Sequence, residues 1–313
     1  MDDRWIQALW GSPDCDFIQK EKVGNSGGQL LIWDTGCFEA GCIIRMECVI
    51  GVQGKWVDSQ RSMYVVNVYG PHEDVKKVAL WNSLTNALDN GSDEAWVLCG
   101  DFNEVRVPED RFNCDFIGYR ARRFNEFISD NRLIEIPLGG RNFTRVSEDG
   151  IKYSKLDRFL VTDSFVQLWG DLTALVMDRK HSDHCLIMLS DGERNFGPKP
   201  FKVFDAWFKD EESVKVVHDA WETQVPINNR KDCMFQNKLK NVKFALKDWS
   251  NSKFYKLDEE IEVLKKKALD IELKAETSTL NEVELEDWRE SRKRWLEKDK
   301  FKNDMLKQKE ESQ

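Results

Sequence analysis

The 313-residue chain is 41% hydrophobic and 33% charged, which suits one full-sized packed domain with additional length beside it. No apolar run reaches the roughly 20 residues of a membrane helix, and Met1-Asp2-Asp3-Arg4 lacks the basic and apolar regions of a secretory leader, so an intracellular chain without membrane contact is expected. The net charge of -9 excludes a protein that coats nucleic acid by bulk positive charge, but not a metal site, whose acidic ligands add negative charge of their own.

The eight cysteines, Cys15, Cys37, Cys42, Cys48, Cys99, Cys114, Cys185 and Cys233, form no CxxC pair. They read as free thiols in a reducing compartment rather than as zinc ligands or a disulfide framework.

Ile6, Leu9 and Trp10 lie at helical spacing and predict a short packing helix. Gly24-Asn25-Ser26-Gly27-Gly28 predicts a loop, and without a lysine and a following helix it does not read as a phosphate cradle. Gln29 to Trp33 is a short buried strand. Cys42 to Ile50 and Ser62 to Tyr69 are β-rich runs, with Gly51 to Gln60 between them as a hairpin loop. Tyr69-Gly70-Pro71 ends the second run, where Tyr69 either adds a phenol to a cleft or packs in the core. Glu73 to Leu88 predicts a helix with Val78, Trp81, Leu84 and Leu88 as its apolar stripe, ended by Asn90-Gly91.

Val97-Leu98-Cys99-Gly100-Asp101-Phe102-Asn103 is an apolar run that stops in glycine, carboxylate and carboxamide. As a strand end it puts Asp101 and Asn103, two apart, on one face toward a cleft. The alternative is a turn, since Gly, Asp and Asn are turn formers. Glu104 to Tyr119 reads as an irregular loop, and Arg123 to Asn131 as a helix with Phe124, Phe127 and Ile128 inward. This succession of strands and helices predicts an α/β domain.

Gly139 to Thr144 punctuates the chain before a strand from Tyr153 to Val161, in which Asp157 faces either solvent or a polar site. His181-Ser182-Asp183-His184 follows, directly before the apolar run Cys185 to Leu189. His184 is a candidate general base for a water, with Asp183 or another carboxylate fixing its tautomer. His181 and His184 alone are too few ligands for zinc.

Gly197-Pro198-Lys199-Pro200 marks a domain boundary, giving domains 1-195 and 196-313, with aromatic-rich Phe201 to Phe208 packing back on the first. Ser213 to Trp221, Phe235 to Trp249 and Leu257 to Ile271 predict helices. Leu257, Ile261, Leu264, Ala268 and Ile271 form an a/d seam with too few heptads for a stable coiled coil. From Asn251 onward, 15 basic and 17 acidic side chains nearly balance, which describes a solvated helical surface rather than a nucleic-acid tail. Trp288 and Trp295, one heptad apart, hold this arm against a partner or against itself, so helix-mediated self-association is one expectation.

Gly100-Asp101-Phe102-Asn103, Ser154-Lys155-Leu156-Asp157-Arg158-Phe159-Leu160 and Ser182-Asp183-His184 occur in the order and approximate spacing of the endonuclease/exonuclease/phosphatase superfamily. Ser26-Gly27-Gly28 with Leu30 to Asp34, and Val68-Tyr69-Gly70-Pro71, make the chain most similar to the apurinic-type endonuclease domain of plant LINE-type (non-LTR) retrotransposons. The resemblance covers about residues 1 to 195, and the helical remainder resembles the connector that precedes the reverse transcriptase in such elements.

The resemblance implies a four-layered sandwich, two β-sheets facing each other between helices, and metal-assisted phosphodiester hydrolysis of DNA with Mg²⁺ or Mn²⁺ as Lewis acid. It gives His184 the activation of water and Asp183 the support of that histidine, with Asp183 and Asp101 at the metal. Asp101 and Asn103 would position nucleophile and phosphate, Tyr69 would contact phosphate oxygens, and Asp157 would orient the histidine or contribute to the metal. A nuclear location follows if the ancestral role is kept, and the partners are DNA and the parent element's reverse transcriptase.

The chain also departs from the pattern. The family's N-terminal asparagine strand and the Gln-Glu-Thr strand with its principal metal glutamate have no match. The alignment begins just after that glutamate, so the fold is expected to be incomplete at the N-terminus, with Glu21 and Glu39 unplaced as substitutes. Arg145 stands where the family has tryptophan after Phe-Thr, and Leu186 where it has proline. The expected function is therefore a retrotransposon-derived endonuclease fragment, weakly active or inactive. The alternatives are a phosphatase of the same superfamily and a non-catalytic interaction remnant. No aromatic-x-Asp-Asp motif of a reverse transcriptase is present.

Overall fold

The computed structural model describes residues 3–21, 28–91, 94–180, 182–192, 207, 211–223 and 231–307. The chain divides into two compact units, Met1–Arg194 and Asn195–Gln313. The first runs from helix α1 (Asp3–Trp10) through strands β1 (Cys15–Lys20), β2 (Gln29–Asp34), β3 (Phe38–Met46), β4 (Val49–Trp56) and β5 (Ser62–Tyr69) to helix α2 (Asp74–Asn90) and β6 (Trp96–Asp101). The short β7 (Arg111–Phe112), helix α3 (Gly118–Asp130) and the two-residue strands β8 (Ile134–Glu135), β9 (Leu138–Gly139), β10 (Arg145–Val146) and β11 (Tyr153–Ser154) follow. Strand β12 (Asp157–Val161), helix α4 (Asp163–Leu168), β13 (Leu172–Val176) and β14 (Ile187–Asp191) complete the unit.

A six-stranded sheet of order β3-β4-β5-β6-β12-β8 carries the architecture. Its pairs are antiparallel except β5 with β6, and that parallel pair is joined through α2, since a parallel connection requires a crossover. Side-chain alternation sends successive residues of the central strands to opposite cores. Leu98, Leu160, Val66 and Val68 face Trp81 and Leu84 of α2 and Phe124 and Phe127 of α3. Val97, Phe159 and Val161 face Ile18 and Trp33 of the β1-β2 pair and Ala174 of the β14-β13-β9 sheet. The unit is thus α/β, with sheet on sheet and helices outside, the architecture that the resemblance implies. Each fully buried aliphatic here, Leu98 and Leu160 among them, contributes about 1.5–3 kcal/mol over an exposed one.

Trp81 anchors the helical side, with its ring 5.0 Å from those of both Phe124 and Phe127. Lys77, on the same helix, is also buried, its Nζ donating to Glu104 at 2.6 Å and to the Asn103 carbonyl at 2.5 Å.

Several sequence expectations need correction. Only Val57 to Gln60 of the expected hairpin loop Gly51 to Gln60 is loop, between the antiparallel strands β4 and β5. A second tight turn at Glu47 and Cys48 joins β3 to β4, and Gly51 to Trp56 belongs to strand β4. Gly54 is there because a Cβ would lie 2.4 Å from the Glu39 carbonyl and 2.5 Å from the Phe38 ring across the pair, so its glycine reflects close packing rather than looping. Strand β1 was not anticipated at all. The run Tyr153 to Val161 is two strands in two sheets, β11 and β12. Of the apolar residues of α1, Ile6 is buried while Leu9 and Trp10 are exposed. The expectations for Gly24 to Gly27, His181, Gly197 to Pro200 and all of Phe201 to Phe208 except Trp207 lie outside the described residues.

In the second unit, α5 (Glu211–Glu222) precedes α6 (Lys231–Ala275) and α7 (Glu282–Lys307). The two helices expected at Phe235 to Trp249 and Leu257 to Ile271 are one helix of 45 residues, since the seven residues between them include neither glycine nor proline. Ile261 and Ala268 of α6 bury Trp288 and Trp295 of α7, with Leu257, Leu264 and Ile271 beside them. Ion pairs from Lys267 to Asp287 and from Lys298 to Glu260 fix α6 and α7 as an antiparallel hairpin. The a/d seam is thereby filled within the chain.

Candidate active site

Three neighbouring strands of the large sheet end at one level. The register sets Tyr69 beside Asp101 and Asp101 beside Asp157, so the three side chains stand in a row on the face that carries Val97 and Phe159. The site is therefore at the edge of the core between the sheet layers. Strand β6 reaches this edge through Gly100 at φ 123, where a Cβ would meet the Val68 carbonyl at 2.3 Å. Only glycine adopts that conformation so close to a neighbouring strand.

The expectation that Asp101 and Asn103 share a strand face is corrected. The strand ends at Asp101, and a turn follows at once. Asn103 has φ 50, its backbone N–H donates to Asp101 Oδ1 at 2.8 Å, and its side-chain amide donates to the Gly70 carbonyl at 2.8 Å. Strand end and turn are both present, and Asp101 closes the turn with its own carboxylate, as aspartate commonly does.

His184 reaches the row from the segment before β14. Its Nδ1 is 2.7 Å from Asp157 Oδ2 and its Nε2 3.8 Å from Asp101 Oδ2. Asp157 thus faces a polar site rather than solvent, and it is the carboxylate that holds the imidazole. Asp183 turns elsewhere, accepting a bond from Arg145 Nε at 3.0 Å. Tyr69 is half-buried in the row.

Thr144 ties these pieces together and was missed in the sequence. Its hydroxyl accepts the N–H groups of Leu156 and Asp157, both at 3.0 Å, and its carbonyl accepts that of Cys185 at 2.7 Å. One fully buried residue therefore fixes the start of β12 and the strand entered by His184. The sequence signal for it was only the Phe-Thr pair after the glycines, which has no marked spacing to its partners.

The electrostatics follow from this geometry. Burial, then the neighbouring Asp157, raise the Asp101 carboxyl above its ordinary value, against the opposing effect of His184. Burial disfavours the His184 imidazolium, but the hydrogen bond and charge of Asp157, with Asp101 and Asp183, outweigh it and raise the pKa. Burial also works against the Asp183 carboxylate, yet His184 and Arg145 lower its pKa overall. The adjacent Cys99 thiol is pushed up to about 11 by burial, so it is no nucleophile at neutral pH.

Asp101, Asp157 and His184 each offer one ligand atom within 4.8 Å of the others. Carboxylate oxygens suit a hard divalent cation, and two carboxylates facing each other across adjacent strands are a fitting counter-charge for it. Asp183, also expected at the metal, is outside this cluster, as are the exposed Glu21 and Glu39.

No family model matches the chain, and no curated protein does. Among solved structures it is similar to the endonuclease domain of TRAS1, a telomere-specific non-LTR retrotransposon, at 11% identity over 61% of this chain and 91% of that one, with a TM-score of 0.46. It is also similar to an endonuclease/exonuclease/phosphatase family protein from Bacteroides thetaiotaomicron at 14% identity, covering 59% of this chain and 76% of that one, with a TM-score of 0.41. The mannosyl-6-phosphatase of the same organism is 16% identical over 60% and 79% of the two chains, with a TM-score of 0.40. The structural neighbours thus include endonuclease/exonuclease/phosphatase family members and a retrotransposon endonuclease domain.

Proposed function

We propose that the site hydrolyses phosphodiester bonds of DNA with Mg²⁺ or Mn²⁺, weakly, as a derivative of a plant LINE-type retrotransposon endonuclease. The observation that carries this reading is the cluster itself, in which His184 Nδ1 meets Asp157 while two carboxylates and Nε2 converge. With Nδ1–H donated to Asp157, Nε2 keeps its lone pair and takes the proton from an attacking water. Asp101 and Asp157 would hold the cation, Asn103 and Tyr69 would orient the phosphate, and the bound cation supplies Lewis-acid polarisation of the phosphate and leaving oxygens.

The weakness follows from the donor set. Two carboxylates would be few oxygen ligands for a hard divalent cation, and Asp183 is engaged by Arg145. Loss even of a group that only supports a ligand typically costs about 10–100-fold in affinity or activity.

Nicking of supercoiled plasmid by the full chain across a Mg²⁺ and Mn²⁺ series tests the reading. Slow nicking that needs high metal and falls by about 10²–10⁴-fold in His184→Ala is expected. Equal nicking by that variant would remove the site from the chemistry, and no nicking at any metal level would leave a non-catalytic remnant. Hydrolysis of a small phosphomonoester with none of DNA would instead move the substrate to that of a phosphatase.

A further inference from the structure

Arg145 and His184 face each other across an antiparallel bridge. The flanking backbone bonds run from Val146 N to Asp183 O at 2.9 Å and from Cys185 N to Thr144 O at 2.7 Å. That pattern makes 145 and 184 a non-hydrogen-bonded pair, the closer of the two antiparallel kinds, with Cα atoms about 4.5 Å apart and side chains on one face. His184 extends from this face to Asp157 and Asp101, so the Arg145 side chain starts beside the same cluster.

The Arg145 side chain is 42% exposed and its partner Asp183 is 41% exposed. An ion pair this accessible contributes about 0–1 kcal/mol, so fold stability gives little reason for it. Its geometric effect is larger. Asp183 holds the guanidinium by Nε at 3.0 Å, which orders the fork of a side chain that starts across the bridge from His184.

We infer that Arg145 binds the substrate phosphate, with its Nη edge on the non-bridging oxygens, and that Asp183 is the residue that positions it; this rests on the phosphodiester reading above. A planar guanidinium matches two phosphate oxygens at once, as a lysine ammonium does not. The cluster is otherwise rich in carboxylates, which repel an anionic substrate, and Arg145, bridged to His184, is a permanently charged group that offsets that repulsion. Asp183 accordingly serves substrate binding through Arg145, rather than metal binding.

The test is titration of the full chain with the dinucleotide TpT, which carries a single phosphodiester, in Mg²⁺ buffer and followed by NMR. Arg145→Ala is expected to weaken TpT binding by roughly 10- to 100-fold, the size of hydrogen bonds to a charged group, with thermal stability nearly unchanged. Arg145→Lys should recover part of the affinity by charge alone, and Asp183→Asn should weaken binding less than Arg145→Ala. Wild-type binding that Arg145→Ala leaves intact would overturn the inference while the phosphodiester reading stands. Absence of TpT binding by the wild-type chain would overturn both.

Discussion

Asp101 and Asp157 sit directly opposite each other at the ends of adjacent antiparallel strands, with side chains 12% and 11% exposed. Two carboxylates so placed cannot both be comfortable as anions without a cation, and His184 is the nearest one the protein itself supplies. Its raised pKa records that pull. In Asp157→Asn, the imidazole loses its hydrogen-bonded carboxylate and its titration midpoint should fall, read by NMR on the chelator-treated protein. The sign is fixed by linkage: a raised histidine pKa adds stability that is full below the ordinary value of 6.5 and is lost as pH rises through the folded-state value. A midpoint unmoved by the substitution would mean that Asp157 does not hold the imidazole.

The strand bearing Asp101 was legible because an apolar run that stops at Gly100 marks a strand end locally, whereas β12 was expected only as part of one strand from Tyr153 to Val161. The partnership of His184 with Asp157 was not legible from spacing, because it depends on the sheet register and on Thr144, which joins segments remote in sequence. Spacing favours Asp183, the next residue. Asp183 instead leaves toward Arg145 Nε, 3.0 Å away. It was the resemblance, through the Ser-Lys-Leu-Asp-Arg run, that gave Asp157 the orienting role. Gly54 misled for a related reason, since the sequence does not distinguish a glycine that loops from one pressed against Phe38.

Glu135 predicts the acid response of the first unit. It accepts bonds from Lys155 at 2.8 Å, Arg158 at 2.5 Å and Arg106 at 2.7 Å. Burial alone would push its carboxyl up, but these three cations hold it at about 2 against an ordinary 4.5. The depressed value contributes on the order of 3 kcal/mol above the unfolded-state pKa, lost as pH falls from 4.5 toward 2. Urea midpoints measured through that window should drop steeply for the wild type and more shallowly for Glu135→Gln. Parallel curves would show that the network does not drive acid unfolding.

Lys77 and Glu104 form an ion pair whose side chains are 7% and 3% exposed, and Lys77 also holds the Asn103 carbonyl. Removing one member strands the other without water. Lys77→Met is therefore expected to cost about 3–5 kcal/mol, whereas the double change Lys77→Met with Glu104→Leu recovers much of it, because two apolar groups leave no buried charge. Denaturant unfolding of the singles and the double closes the cycle. A double variant as unstable as the single would place the cost in packing rather than in charge.

The helical hairpin has a buried acid of its own. Glu272, 0% exposed, accepts the Trp288 indole N–H at 3.0 Å and lies 3.6 Å from Arg292 Nη1. Trp288→Phe keeps an aromatic ring against Ile261 and Ala268 but removes that donor from a carboxylate without access to water, which costs about 1–3 kcal/mol. Adding Glu272→Leu together with Arg292→Leu to the same chain removes the carboxylate and its ion-pair partner at once, and should return part of the lost stability. Thermal unfolding followed by helical circular dichroism separates the two causes. If the hydrogen bond matters, the triple variant melts above Trp288→Phe; if the indole matters only by its volume, the added pair of substitutions does not raise the melting temperature.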